Sequence, residues 1–210
     1  MNIGIIGSGH IGGNLARLWG RAGHKIYFSF SHDQEKLEHL AEEIGNESKA
    51  VTPYDAAYCS EVTLFAPPWR AIDDALKQIG KFNGKVVIDT TNPYIDDKFN
   101  VQTFDEKDSA SETNARKMED ARVVKAFNTL HAPTLLERSG QGLAIFYAGN
   151  DPTAKKLVAG LIEDAGFVPV DAGPLHEGRK QEPNTDRYNV ELTREQAEDI
   201  VHGGPAAVSR

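Results

Sequence analysis

The sequence predicts an α/β fold: one doubly wound, mostly parallel sheet with helices on both faces. Three observations carry this. Short apolar runs alternate with segments whose apolar residues recur at helical spacing. The first of these runs opens into a glycine-rich turn, Gly7-Ser8-Gly9-His10-Ile11-Gly12. Glycines stand where several helical patterns stop, as helix C-termini favour.

Taken in order, Ile3 to Ile6 read as the first strand. Ile11, Leu15, Leu18, Trp19 and Ala22 repeat at helical spacing, and Gly23 stops that helix. Lys25 to Phe30 are the second strand. Leu37, Leu40, Ala41 and Ile44 mark a second helix that ends at Gly45. A short third strand falls near Lys49 to Thr52. Val62 to Ala66 form the fourth, ending at Pro67-Pro68, and Ile72, Ala75, Leu76 and Ile79 mark the helix after it. Val86 to Asp89 are the fifth strand. A polar loop from about Tyr94 to Ala110 follows, then a helix from about Ser111 to Asp120 and a sixth strand from Val123 to Phe127. Leu143 to Ala148 are the seventh strand. Asp151-Pro152 opens a helix, because Asp caps free amides and Pro suits the first helical position. Gly166 ends it, and Phe167 to Val170 are the last strand. Residues 1–175 thus form one domain. Residues 176–210 form a polar extension packed on it, with a short helix at Arg194 to His202.

The bulk properties exclude several classes. The chain has 210 residues, 40% of them apolar and 26% charged, an ordinary globular composition. A formal net charge of -8 argues against a nucleic-acid or anionic-membrane binder, since both need a basic footprint. No run approaches a membrane span, and a strand from residue 2 leaves no room for a signal peptide, so a cytoplasmic protein is expected. The single cysteine, Cys59, reads as a small buried or half-buried apolar residue. No metal-ligand cluster and no serine-nucleophile elbow is present in the sequence, so no metal is expected. A homodimer is the expected assembly.

The glycine-rich turn has the context that gives such a motif meaning: an apolar strand before it and an amphipathic helix after it. In a Rossmann unit Gly7 makes the tight turn, Gly9 lets the backbone approach a pyrophosphate, and Gly12 lets helix and strand pack closely. The helix amides then face the phosphates. The turn residues Gly7, Ser8, Gly9, His10, Ile11 and Gly12 are therefore candidate ligands of a dinucleotide. An acidic residue at the end of the second strand would bind the 2′-hydroxyl of NAD. Here the strand ends in Phe30, Ser31 and His32, none acidic, which favours NADP over NAD. Ser29, Ser31 and His32 are candidates for the 2′-phosphate, although the usual arginine is missing. Asp33 reads as a cap for the second helix.

In an open parallel sheet the reacting ring lies over the carboxyl ends of the strands. Ala66, Pro67 and Pro68 leave the fourth strand there, with Trp69 behind them, and Thr91 and Asn92 leave the fifth. Thr91, Asn92 and Asn128 are able to bond a carboxamide. Asn128 and His131, which follow the sixth strand, are the catalytic candidates. His24 and His39 read as solvated, and Lys125 as structural. No strong acid-base machinery is visible. Ketone reduction needs a proton donor beside the hydride. Exchange with a flavin-like ring mainly needs two planar rings in contact.

The segments GSGHIGGNLARLWGRAGH, VTLFAPPWRAIDDAL, ARVVKAFNTL and FVPVDAGPL resemble the NADP oxidoreductases dependent on the deazaflavin coenzyme F420. The resemblance runs over roughly residues 1 to 180. The reductase domain of the six-transmembrane ferric reductases looks similar around VVKAFNTL. The resemblance implies NADP on the glycine-rich turn and a deazaflavin or flavin stacked near the nicotinamide. The family's Ser-Arg-Arg after the second strand is replaced by Phe30-Ser31-His32. The leading expectation is hydride transfer between NADP(H) and a flavin-like or deazaflavin partner. A reductase of small carbonyls or imines and a non-enzymatic NADP(H) sensor are the alternatives.

Overall fold

The computed structural model describes residues 1–31, 33–105 and 108–204. Its centre is β1 (Asn2–Ile6), which pairs in parallel with β2 (Lys25–Ser29) on one side and β4 (Val62–Phe65) on the other. Beyond these lie β3 (Lys49–Ala50), β5 (Val86–Asp89), β6 (Arg122–Ala126), β7 (Ala144–Gly149) and β8 (Val168–Gly173). The full order is β3-β2-β1-β4-β5-β6-β7-β8. Every pairing is parallel except β6 with β7. The strand order reverses between β1 and β4, and a crevice opens there at the carboxyl ends.

The strands of the middle of the sheet are apolar on both faces because both are covered. On one face α1 (His10–Arg21), α2 (Gln34–Ile44) and α7 (Pro152–Asp164) bury Leu15, Trp19, Leu37, Val158 and Leu161. Trp19 Nε1 donates to Leu161 O at 2.8 Å, so burying the indole leaves no polar atom unpaired. On the other face α3 (Pro53–Tyr58), α4 (Ile72–Ile79) and α5 (Ala110–Lys117) close over Phe65, Ile79, Phe82 and Val87. The C-terminal extension adds Leu192, Ala197 and Ile200 to Phe146 and Val170 of β7 and β8. Its helix α8 (Arg194–Val201) starts with a capping box between Thr193 and Gln196. Among the described residues no helix is long and apolar enough to cross a membrane.

Several boundaries differ from expectation. β2 stops at Ser29, because Phe30 takes φ +59°, outside strand geometry. The third strand ends at Ala50. Thr52 instead caps α3, accepting from Asp55 N, with Pro53 in the first turn. The seventh strand runs one residue later than predicted and the last reaches Gly173. A helix at Ala132–Glu137 (α6) and 3-10 turns at Trp69–Ala71 and Leu175–Gln181 were not expected. Cys59 is exposed, not buried, because it caps the C-terminus of α3 at the surface. His24 is buried, not solvated: its Nε2 meets Asp164 Oδ2 at 2.9 Å and its Nδ1 lies 3.3 Å from the Met1 amine.

Candidate active site

The first turn of α1 has no side-chain cap; Gly9 occupies the N-cap position. Its leading amides therefore point outward without an internal acceptor. Each glycine of the turn has a different reason to be there. Gly7 has φ +99°, and its N–H donates to Ser29 O at 3.1 Å, tying the end of β1 to β2. A Cβ on Gly12 would stand 2.1 Å from Gly7 O, so only glycine lets α1 close against the turn. A Cβ on Gly9 would meet nothing within 4 Å. The space over Gly9 is open to a ligand, as a pyrophosphate approaching the backbone requires.

A cleft of about 1300 Å³ crosses the carboxyl ends of β2, β1, β4 and β5. At one end it is lined by Phe30, Ser31, Lys36, Leu37 and Val51. It passes Gly7, Ser8, Gly9, His10 and Ile11, then Ala66, Pro67, Pro68 and Trp69. At the other end stand Thr91, Asn92, Tyr94, Tyr188 and His131. Most of the residues singled out in the sequence thus share one cavity.

Four do not reach it in the expected way. Ser29 is fully buried and its hydroxyl donates to Ile5 O at 3.1 Å, so it is spent inside the sheet. Asn128 is 1% exposed and lies beneath the cleft. Its Nδ2 donates to Gln181 O at 2.6 Å and to Asn92 Oδ1 at 3.1 Å, which makes it a brace, not a catalyst. Thr91 lines the cleft, yet its hydroxyl donates to Asp89 Oδ1 at 2.8 Å and is not free for a carboxamide. Gly12 is a packing position behind the turn. His32 lies outside the described residues. Asp33 does cap α2, accepting from Lys36 N at 3.0 Å.

The structure adds Lys36 and Tyr188, which the sequence reading did not select as ligands, and places Tyr94, at the end of the segment leaving β5, in the same cleft. Asp33 at the N-cap sets Lys36 in the first turn of α2, facing the end of β2, and no ion pair to Lys36 is formed among the described residues. This supplies the cation that the strand end itself lacks. Tyr94 and Tyr188 place their hydroxyl oxygens 2.8 Å apart. Tyr188 comes from the C-terminal extension, which is held by Asn189 N donating to Thr129 O at 2.7 Å. Burial pushes the Tyr188 phenol well above its ordinary value, so it stays a neutral hydroxyl.

Under the cleft floor lies a buried polar network. Asp89 Oδ1 accepts from Thr91 N at 2.9 Å, and Asp89 Oδ2 from Asn114 Nδ2 at 3.1 Å. Lys125 Nζ is 3.5 Å from Asp89 Oδ2 and donates to Thr91 O. Glu182 accepts from Ala110 N at 2.8 Å. Desolvation raises the Glu182 pKa, against the pull of Lys125. The folded protein then holds a proton that the unfolded chain has released. Stability is greatest below the ordinary glutamate range and falls as pH rises through the raised value. Glu182→Gln is expected to flatten that decline in urea unfolding curves taken across a pH series. A wild-type profile without the decline would refute the assignment. Among the described residues no group of His, Cys, Asp and Glu is arranged to hold a metal ion.

A parallel sheet with a glycine-rich turn, uncapped helix amides and a cleft at the strand reversal is the architecture of a Rossmann-type dinucleotide-binding protein. Comparison with known proteins narrows this. The family profile described as NADP oxidoreductase coenzyme F420-dependent matches residues 2–93. A hypothetical protein of known structure from Sinorhizobium meliloti is 30% identical, with a TM-score of 0.82, over 92% of this chain and 95% of that one. A candidate F420-dependent NADP reductase from an Arthrobacter species is 23% identical, with a TM-score of 0.75, over 91% and 99%. The N-terminal part of the chain, residues 2–93, belongs to the coenzyme F420-dependent NADP oxidoreductase family. It also shares its fold with a reductive aminase from Aspergillus terreus solved with NADPH. There the identity is 19% and the TM-score 0.65, and the chain spans 56% of that protein's length. A search of curated proteins returns no match.

Proposed function

We propose that this chain binds NADP(H) along the cleft, with the 2′-phosphate between Ser31 and Lys36 and the nicotinamide at the Tyr94–Tyr188 end. The observation that carries the reading is the continuity of one cleft from Lys36, past the open face of Gly9, to the ends of β5 and β6. The dinucleotide fits this chain's residues. Uncapped amides meet its pyrophosphate, a missing Cβ leaves it room, and a lysine with no ion pair among the described residues meets the extra phosphate. When bound, it supplies a hydride. The protein holds it, keeps one wall of its reactive end rigid through Pro67-Pro68, and shields the acceptor there.

The test is a pair of titrations. NADPH should bind more tightly than NADH. Lys36→Ala should weaken NADPH about five- to tenfold, the worth of about 1 kcal/mol for an exposed charge pair, and leave NADH unchanged. Equal affinities of the wild type for the two nucleotides would sink the NADP preference.

Two acceptors compete. The family description points to a deazaflavin ring, which the volume of the cleft and the aromatic residues Trp69 and Tyr94 in its wall would accommodate. A specific observation favours a small carbonyl or imine instead: two phenol hydroxyls 2.8 Å apart at the reactive end, with that of Tyr188 held neutral by burial. Absorbance of the nicotinamide, followed with coenzyme F420, FMN, a ketone and a cyclic imine in turn, separates these readings. Binding without turnover of any acceptor is the signature of a sensor.

A further inference from the structure

We infer that Tyr188 is the proton donor to a small neutral or cationic carbonyl or imine at the β5–β6 end of the cleft, with Tyr94 as the group that returns the proton. The inference rests on the NADP(H) reading and goes beyond it in naming the acceptor class and the acid.

The geometry leaves the Tyr188 hydrogen unspent. Tyr188 Oη receives the Tyr94 hydroxyl at 2.8 Å and, at 3.4 Å, the Asn92 amide. The two hydroxyls share one bond, so one of their two hydrogens is left over; with Tyr94 donating, it is that of Tyr188, left for a ligand in the cleft that both line. Asn92 is fully committed: its Nδ2 also donates to Asn128 O at 3.1 Å and its Oδ1 accepts from Asn128 Nδ2. It acts as a positioning residue that fixes Tyr188 and is not a donor to substrate.

Charge selects the acceptor. Asp96 and Asp97 line this end of the cleft. Arg70 is the only lysine or arginine beside them among the described lining residues, and Asp97 already takes it at 2.6 Å. The anionic side chain of a deazaflavin coenzyme would find no free cation here, whereas a neutral carbonyl or an iminium would meet no repulsion.

The step balances as follows. The hydride from the reduced nicotinamide bonds to the carbonyl or imine carbon. The π pair moves onto the oxygen or nitrogen, which takes the Tyr188 proton as its O–H or N–H bond forms. Tyr188 regains a proton from Tyr94 across their hydrogen bond, and Tyr94 from solvent. For an iminium, already protonated, Tyr188 instead donates a hydrogen bond that holds the nitrogen. A tyrosine held neutral stays protonated across the physiological range and still yields its proton to a nascent alkoxide, a much stronger base.

The experiment uses wild type, Tyr188→Phe and Tyr94→Phe with NADPH and four probes: cyclohexanone, 1-pyrroline, FMN and coenzyme F420. Wild type should oxidise NADPH with a carbonyl or imine probe. Tyr188→Phe should keep NADPH affinity within about twofold and lose about a hundredfold in kcat, with KM changed far less. Tyr94→Phe should leave NADPH affinity within about twofold, lower kcat, and enlarge the solvent deuterium isotope effect on kcat, because reprotonation of Tyr188 then comes from solvent alone. A wild type that fails to bind NADPH overturns the NADP(H) reading itself. NADPH binding with a kcat untouched by Tyr188→Phe overturns the Tyr188 assignment alone. So does turnover confined to FMN or coenzyme F420, or no turnover with any probe.

Discussion

Gly12→Ala is expected to cost about 3 kcal/mol of stability, to lower Tm by roughly 6–12 °C, and to abolish measurable NADPH binding. The new methyl carbon would stand 2.1 Å from Gly7 O and 3.2 Å from Ile5 Cγ2. Neither neighbour is able to yield. The carbonyl belongs to the turn itself, and Ile5 is fully buried in the central strand. Helix α1 must therefore tilt away from β1. The shift opens the Trp19–Leu161 packing at its far end and carries the leading amides off the line of the pyrophosphate. Gly9→Ala is the informative companion. Its methyl meets no protein atom within 4 Å, so the melting temperature should move by only a degree or two. NADPH affinity should nevertheless fall at least tenfold, because the methyl fills the approach of the phosphates. Thermal melts and NADPH titration of the two variants separate a packing glycine from a binding one. Undiminished affinity in Gly9→Ala would mean that phosphate does not lie against this turn.

That contrast shows what the sequence disclosed and what it withheld. The parallel sheet was legible because strands buried on both faces must be apolar at every position, as Val62–Phe65 and Val86–Asp89 nearly are. The turn was legible because its glycines answer to local geometry. Strand ends were less so. Ser29 looked like a ligand by its place in the chain, but its hydroxyl was claimed by Ile5 O across the sheet. Lys36 could have been found by one further step, since Asp33 at the N-cap fixes which first-turn residue faces the end of β2. Tyr188 could not. It arrives through a polar segment without periodicity, and its position depends on two contacts distant in sequence, Asn189 N to Thr129 O and Asn128 Nδ2 to Gln181 O. The short helices α3 and α6 bury too few residues to leave a pattern: two in the first and one in the second.

The largest single loss of stability is expected at Asp89. Asp89→Ala should cost about 3–5 kcal/mol, as breaking a buried pair from one side does, and lower Tm by roughly 6–20 °C. The carboxylate is wholly buried and accepts from Thr91 N, Thr91 Oγ1 and Asn114 Nδ2, with Lys125 Nζ 3.5 Å away. Removing it strands a lysine that is itself 0% exposed, leaving the Thr91 carbonyl as the only hydrogen-bond partner of its ammonium group among the described residues. The converse change should be milder. In Lys125→Met the carboxylate keeps three donors, and the methionine fills the stem's volume. The double variant Asp89→Leu with Lys125→Met should recover much of the loss, because a buried ion pair replaced as a unit is often close to neutral. The asymmetry bears on the cleft as well. Asp89 anchors Thr91, and the next residue, Asn92, contacts Tyr188. Asp89→Ala should therefore loosen the reactive end even in the molecules that remain folded. Chemical denaturation gives the energies, and NADPH titration well below the melting temperature gives the coupling. Equal costs for the two single variants would show that the network is held by its hydrogen bonds and not by its charges.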